Sequence, residues 1–125
     1  MNTHGFRKGA NIAARLTELA KAVIAISERL PKSGTRAHIT KQLVRAVTAV
    51  GSNYEEARGA ESRADFIHKL GLAVKEARET IYWLEIVRAD NETPMMLRTI
   101  DEANQLAAIL FASRRTATRN ASAPA

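Results

Sequence analysis

The feature that most restricts what this chain can fold into is a row of six aliphatic residues. Ile12, Leu16, Leu19, Val23, Ile26 and Leu30 follow one another at intervals of 4, 3, 4, 3 and 4 residues. With about 3.6 residues per turn, these positions form one stripe, so a helix over about 12–29 has a dry side that it must bury against something. Asn11 precedes it as a suitable N-cap, since its side chain can accept from an orphan amide of the first turn. Pro31 ends it, because proline disfavours α geometry at Leu30 and offers no amide to the ladder.

Three further segments repeat the pattern. The second spans about 36–57, with Thr35 as its expected cap and Ile39, Leu43, Ala46 or Val47, Val50 and Tyr54 as its inner face. The third spans about 63–89, roughly 40 Å of helix. It opens on Ser62-Arg63-Ala64-Asp65, a capping-box variant, and carries a wide stripe of Phe66, Ile67, Leu70, Ala73, Val74, Ala77, Ile81 and Leu84. The fourth spans about 94–113, with Thr93 as cap, Pro94 in the first turn, and Leu97, Ile100, Ala103, Ala107 and Leu110 facing inward. Residues 1–10 read as a flexible basic N-terminus and 114–125 as a disordered basic tail. No alternating run bounded by turn residues competes for a strand. Short connections favour antiparallel neighbours, so the expected fold is all-α, an antiparallel up-down-up-down four-helix bundle. Gly51 and Gly71 lie inside helices two and three, and folding those helices about residue 59 suggests a close approach of the two there.

Composition then limits the chemistry. The absence of cysteine excludes disulfides, thiolate metal sites and cysteine nucleophiles. No apolar run approaches the ~20 residues of a bilayer span, and the first residues lack the apolar stretch of a secretory signal, so no membrane association and a cytoplasmic location are expected. The net charge is +6, unevenly spread. Residues 1–54 carry +7, residues 55–113 carry −4, and residues 114–125 carry +3. Such polarity suits a polyanion on the basic side. It equally suits head-to-tail contacts between subunits, or a basic surface kept for solubility. Arg7, Lys8, Arg15, Lys21, Lys32, Arg36, Lys41, Arg114, Arg115 and Arg119 are the candidate nucleic-acid contacts.

Catalytic and metal patterns are sparse. Asp65-x-x-His68 occurs once, and a di-iron bundle needs such a pair twice, so no metal or other cofactor is expected. Arg63 and His68 have the Arg-x4-His spacing of HEPN-type helical ribonucleases, in which His68 would move a proton at a ribose hydroxyl while Arg63 held the phosphate. Ala64 stands where that family usually has a polar residue. Polar residues also border the seam between helices two and three, and the same fold-back brings Arg45 within a turn of Glu76. A partly shielded ion pair there would set the register.

Three stretches carry a resemblance. They are Gln42-Leu43-Val44-Arg45 with Gly51-Ser52-Asn53-Tyr54-Glu55-Glu56-Ala57, then Ser62-Arg63-Ala64-Asp65-Phe66, then Lys75-Glu76-Ala77-Arg78-Glu79-Thr80 with Tyr82-Trp83. Together they resemble the four helix bundle protein family, also called the 23S rRNA intervening-sequence protein family, strongly over about 36–88. The resemblance implies an antiparallel bundle assembled as a homopentamer in a bacterial cytoplasm, with no established enzymatic activity and no catalytic residues. Gln42, Arg45, Asn53, Glu56, Asp65, Lys69, Glu76, Glu79, Tyr82 and Trp83 match its recurring positions and are structural or interface candidates. The leading expectation is a non-enzymatic oligomeric bundle that binds RNA or another nucleic acid through its basic surface. A scaffold for an acidic protein partner is the alternative, and a HEPN-like ribonuclease is the third reading.

Overall fold

A computed structural model describes residues 3–122, with side chains from Gly9 onward. These residues form α1 (Thr3–Ser27), α2 (Gly34–Arg58), α3 (Arg63–Asn91) and α4 (Pro94–Ser122), with no strand among them.

The helix ends follow local chemistry. Before Pro31, α1 tightens into i→i+3 bonds, Arg29 amide to Ile26 carbonyl at 3.0 Å and Leu30 amide to Ser27 carbonyl at 3.2 Å. Ser62 caps α3 as expected, its hydroxyl accepting from the Asp65 amide at 3.0 Å. Thr93 does the same for α4, accepting from the Met96 amide at 3.1 Å. For α2 the expected cap, Thr35, is two residues late: the N-cap position is Ser33, whose side chain makes no capping bond, and the helix opens on Gly34, not Arg36. Gly34 has φ of +62°, a left-handed conformation that favours glycine and lets the chain turn out of the Pro31 bend.

Residue contacts set the direction of each helix. Leu16 lies beside Gly51 and Arg58 beside Gly9, so α1 and α2 are antiparallel. Arg45 meets Glu76 and Lys69 meets Glu56 across α2 and α3. Arg114 meets Ile67, and Arg78 meets Phe111, across α3 and α4. Packing links α1 to α2, α2 to α3, α3 to α4 and α4 back to α1, with no diagonal pair among the described residues. The fold is therefore an all-α, up-down-up-down four-helix bundle. The α1–α2 and α3–α4 connections share one end, and the α2–α3 connection shares the other with the start of α1 and the end of α4.

All four stripes converge on one core, from Leu16, Leu19 and Val23 of α1 through Leu43, Val47 and Val50 of α2 to Leu70 and Leu84 of α3 and Leu106 and Leu110 of α4. The α4 stripe is rotated from its expected position. Leu97 is 39% exposed, and Met96, Thr99 and Leu106 are buried instead. Residue 97 lies about 100° round the helix from 96, and packing on α3 selects the side that holds Met96.

Both chain ends are more helical than expected. Thr3–Ala10 continues α1 beyond Asn11, and α4 runs past Ser113 to Ser122. No proline interrupts either segment, and the arginines and alanines of residues 114–121 have good helix propensity. The two interior glycines face α1 and α4, not the expected close approach of α2 and α3. A Cβ at Gly51 would make ordinary contact with Leu16 of α1, whereas one at Gly71 would lie 2.8 Å from Nε of Arg114 on α4. The α2–α3 pairing centres nearer residue 61 than 59, which puts Gly51 and Gly71 at one level of the bundle, but each faces a different helix, Gly51 towards α1 and Gly71 towards α4. None of the helices is long and apolar enough to cross a membrane, among the described residues.

Candidate nucleic-acid interface

The expected cations fall into three groups. Those of the first group are engaged by carboxylates. Arg15 forms a bidentate pair with Glu102 across α1 and α4, at 3.0 Å from Nε and 2.7 Å from Nη2. Arg36 reaches Asp90 at 2.5 Å, tying α2 to the end of α3. Lys21 pairs with Glu18 along α1 at 3.2 Å. The hydrogen bond from Arg15 holds the Glu102 carboxyl below its ordinary range. The mildly acidic helices thus neutralise part of the basic ones within one chain.

Lys32 and Lys41 make up the second group. Both are exposed and border a shallow groove beside the α1–α2 connection with Thr40 and Glu28. Arg7 and Lys8 lie outside the described side chains.

The third group lies at the opposite end of the bundle, where Arg114, Arg115 and Arg119 project from the last turns of α4. Arg114 lies over Gly71 and donates from Nε to the Ile67 carbonyl at 3.3 Å. Phe111, one turn earlier, is 46% exposed. The guanidinium carbons of Arg78 and Arg115 sit 5.7 and 5.8 Å from its ring centroid, within cation–π range. Two adjoining grooves share Phe111 and Arg114. One continues along α4 past Arg115, Thr118 and Arg119, the other along α3 past His68, Gly71 and Arg78. No carboxylate lines either, and none of these four arginines forms an ion pair among the described residues. Two guanidiniums beside one aromatic ring, with Arg114 and Arg119 along the same grooves and none of the four paired with a carboxylate, make a local surface suited to an anion with a planar group.

Arg78, Phe111 and His68 were absent from the basic set expected from sequence. A loose tail over 114–125 would leave Phe111 without the arginines that a continuous α4 places beside it. Phe111 and Arg115 stand four apart, as do Arg115 and Arg119, which on a continuous helix places all three on one face. Both residues of the Arg63–His68 pair are exposed on α3, Arg63 at its first residue. Five helical positions turn about 140°, and His68 faces the groove of Arg78 and Arg114.

The positions expected to be structural meet along the α2–α3 seam. Arg45 donates to Gln42 at 3.0 Å and to Glu76 at 3.2 Å, and also pairs with Glu79. The expected Arg45–Glu76 pair therefore forms, with Glu79 as a second acceptor. Glu79 also accepts from the Trp83 indole at 3.1 Å. The Arg45 bond, followed by the Trp83 bond, keeps the Glu79 carboxyl below its ordinary range. Lys69 lies 3.7 Å from Glu56, and the Asn53 side chain donates to the Ala49 carbonyl at 2.9 Å. Tyr82 packs edge-on against Trp83 at 5.1 Å and is itself 60% exposed. Among the described residues no group of three or more His, Asp or Glu could hold a metal ion.

Comparison with known proteins matches this architecture. No curated protein matches the chain. A solved structure from Bacteroides thetaiotaomicron VPI-5482, a protein of unknown function from the S23 ribosomal protein family, is 30% identical. It superposes with a TM-score of 0.74 over 86% of this chain and 98% of its own. The model of the 23S rRNA-intervening sequence protein family matches residues 9–112, a span that holds the core, the α2–α3 seam and Phe111. The chain belongs to the 23S rRNA-intervening sequence protein family.

Proposed function

We propose that the chain is a non-enzymatic subunit of a homo-oligomer that binds RNA through the arginine groove of α3 and α4. The observation that carries this reading is the cluster of Arg78, Arg114, Arg115 and Arg119, which meets no carboxylate among the described residues while Arg15 and Arg36 do. Cations already paired inside the fold have little left to offer a phosphate. Unpaired ones gain by displacing counterions from RNA, which makes binding salt-dependent.

The test is fluorescence anisotropy with a labelled structured RNA between ~50 and ~200 mM salt. The parent protein should show log affinity falling with log salt. Replacing Arg114, Arg115 and Arg119 together with Gln should flatten that slope by about two to three units, close to one per lost phosphate contact. Binding unaffected by salt, or unaffected by the triple replacement, contradicts the proposal. An acidic protein that stays on the immobilised chain after nuclease treatment, with no RNA affinity measured, would replace RNA by a protein partner.

Assembly is supported by α3. Tyr82 and Ile86 are exposed on its outer side although the helix already buries Leu70, Ala73, Val74, Ala77, Leu84 and Val87. A helix apolar on both sides needs a second partner, and a further copy of the chain supplies one. The family resemblance implies five copies. Light scattering should return a multiple of the 13.7 kDa chain, about fivefold for a pentamer, and a single-chain mass refutes assembly.

A further inference from the structure

We infer that the groove around Phe111 takes an unpaired nucleotide of RNA, its base laid on the Phe111 ring and its neighbouring phosphates on Arg114, Arg115 and Arg119. The inference rests on the RNA-binding reading and sharpens it from a charged surface to a site for single-stranded segments.

The argument starts from what a duplex would require. An A-form helix keeps its bases stacked and offers a protein its phosphates and 2′-hydroxyls. Guanidiniums alone would serve it, and an aromatic ring at their centre would add nothing. Single strands are held differently, by a basic groove that follows the backbone and by aromatic platforms on which bases stack. Phe111 is such a platform. It is nearly half exposed, it lies where two carboxylate-free grooves meet, and the guanidinium of Arg115 rests near its ring, 5.8 Å from the centroid.

The exchange on binding is favourable in sign. An exposed cation–π contact shifts an equilibrium by about two- to fivefold, whereas loss of a base-stacking aromatic weakens binding by about five- to hundredfold. A base can therefore displace the Arg115 guanidinium from the ring. The displaced guanidinium has no carboxylate to return to and takes a phosphate instead. The reach also fits. Phe111 to Arg119 covers about 12 Å of helix axis at 1.5 Å per residue, the length of three or four stacked nucleotides at about 3.4 Å each. Gly71 contributes by leaving room for Arg114, which its Ile67 contact holds at the groove edge before any ligand arrives.

The experiment compares an oligouridine of about ten nucleotides, a typical single-strand site size, with a blunt RNA duplex of equal length. Both are measured against the full chain, Phe111→Leu, Phe111→Tyr and Arg115→Gln. The parent should bind the single strand. Phe111→Leu, which keeps an apolar side chain, should weaken that binding about tenfold while leaving the salt slope and the duplex affinity unchanged. Phe111→Tyr should restore it. Arg115→Gln should flatten the salt slope by about 0.7 on the single strand. Equal losses on single strand and duplex, or no loss in Phe111→Leu, overturn the inference and leave RNA binding standing. Absence of parental binding to either RNA overturns both. A changed assembly mass for Phe111→Leu in light scattering would give the ring to a subunit contact and also overturn the nucleotide site.

Discussion

Replacing Arg15 with Met separates a structural cation from a ligand-binding one. By charge alone Arg15 belongs with the basic surface, but its guanidinium is committed to both oxygens of Glu102. The two side chains are 31% and 35% exposed, so water partly screens the pair, and measured exposed pairs contribute about 0.2–1 kcal/mol. Two parallel charge-assisted bonds put this pair near the top of that range. Methionine retains an apolar stem against the bundle, and the freed Glu102 can hydrate, so the expected loss is about 1 kcal/mol. For a domain of this size, that lowers Tm by about 3–5 °C in thermal unfolding followed by circular dichroism. The pH dependence has a definite sign. Arg15 holds the Glu102 carboxyl below its unfolded value, so the stabilisation is complete above the ordinary carboxylate range and disappears as pH falls through the depressed folded-state value. The parent and Arg15→Met curves should therefore differ at neutral pH and converge only in acid, once pH has fallen through the depressed value of Glu102. RNA affinity should stay at the parental value. An unchanged Tm at neutral pH together with RNA binding weakened as much as in Arg115→Gln would refute the reasoning, because Arg15 would then be acting outward.

Three other outcomes test separate parts of the fold. Arg45→Met removes one cation from both Glu76 and Glu79, whose side chains are only 15% and 29% exposed, and should cost about 1–2 kcal/mol in urea unfolding at neutral pH. That cost should shrink in acid as Glu79, held low by Arg45, takes up its proton in both proteins. Gly34→Ala meets no neighbouring atom but must adopt φ of +62°, and should lower stability by about 1–2 kcal/mol, whereas a Gly34→Asn chain should recover part of it. Gly71→Ala should gain about 1 kcal/mol of helix propensity and yet weaken single-strand RNA binding, since the new methyl displaces the Arg114 guanidinium. A Gly71→Ala chain that binds like the parent would mean that Arg114 has no fixed place in the groove.

Some features were legible because their physics is local. The 4, 3, 4 spacing of Leu16, Leu19, Val23 and Ile26 needs no partner to identify a helix or its dry side, and all four are buried. Ser62 and Thr93 cap their helices through groups three residues away. The Arg45–Glu76 pair was within reach as well, because a four-residue connection between α2 and α3 leaves little freedom in their register.

Other features depend on how whole helices rotate against one another. Leu97 and Met96 are equally apolar, and only the seat of α4 on α3 decides that Met96 is inside. Arg15, Arg36 and Arg115 are the same side chain in the sequence. Two of them face a carboxylate 54 or more residues away, while the third rests on Phe111. The sequence by itself therefore determined that four amphipathic helices would form and which side of most of them would be dry, since hydrophobic periodicity and capping act within a few residues. The tertiary structure alone decided which positive charges are cancelled and which remain available, because charge pairing depends on distances of a few ångströms between helices far apart in the chain.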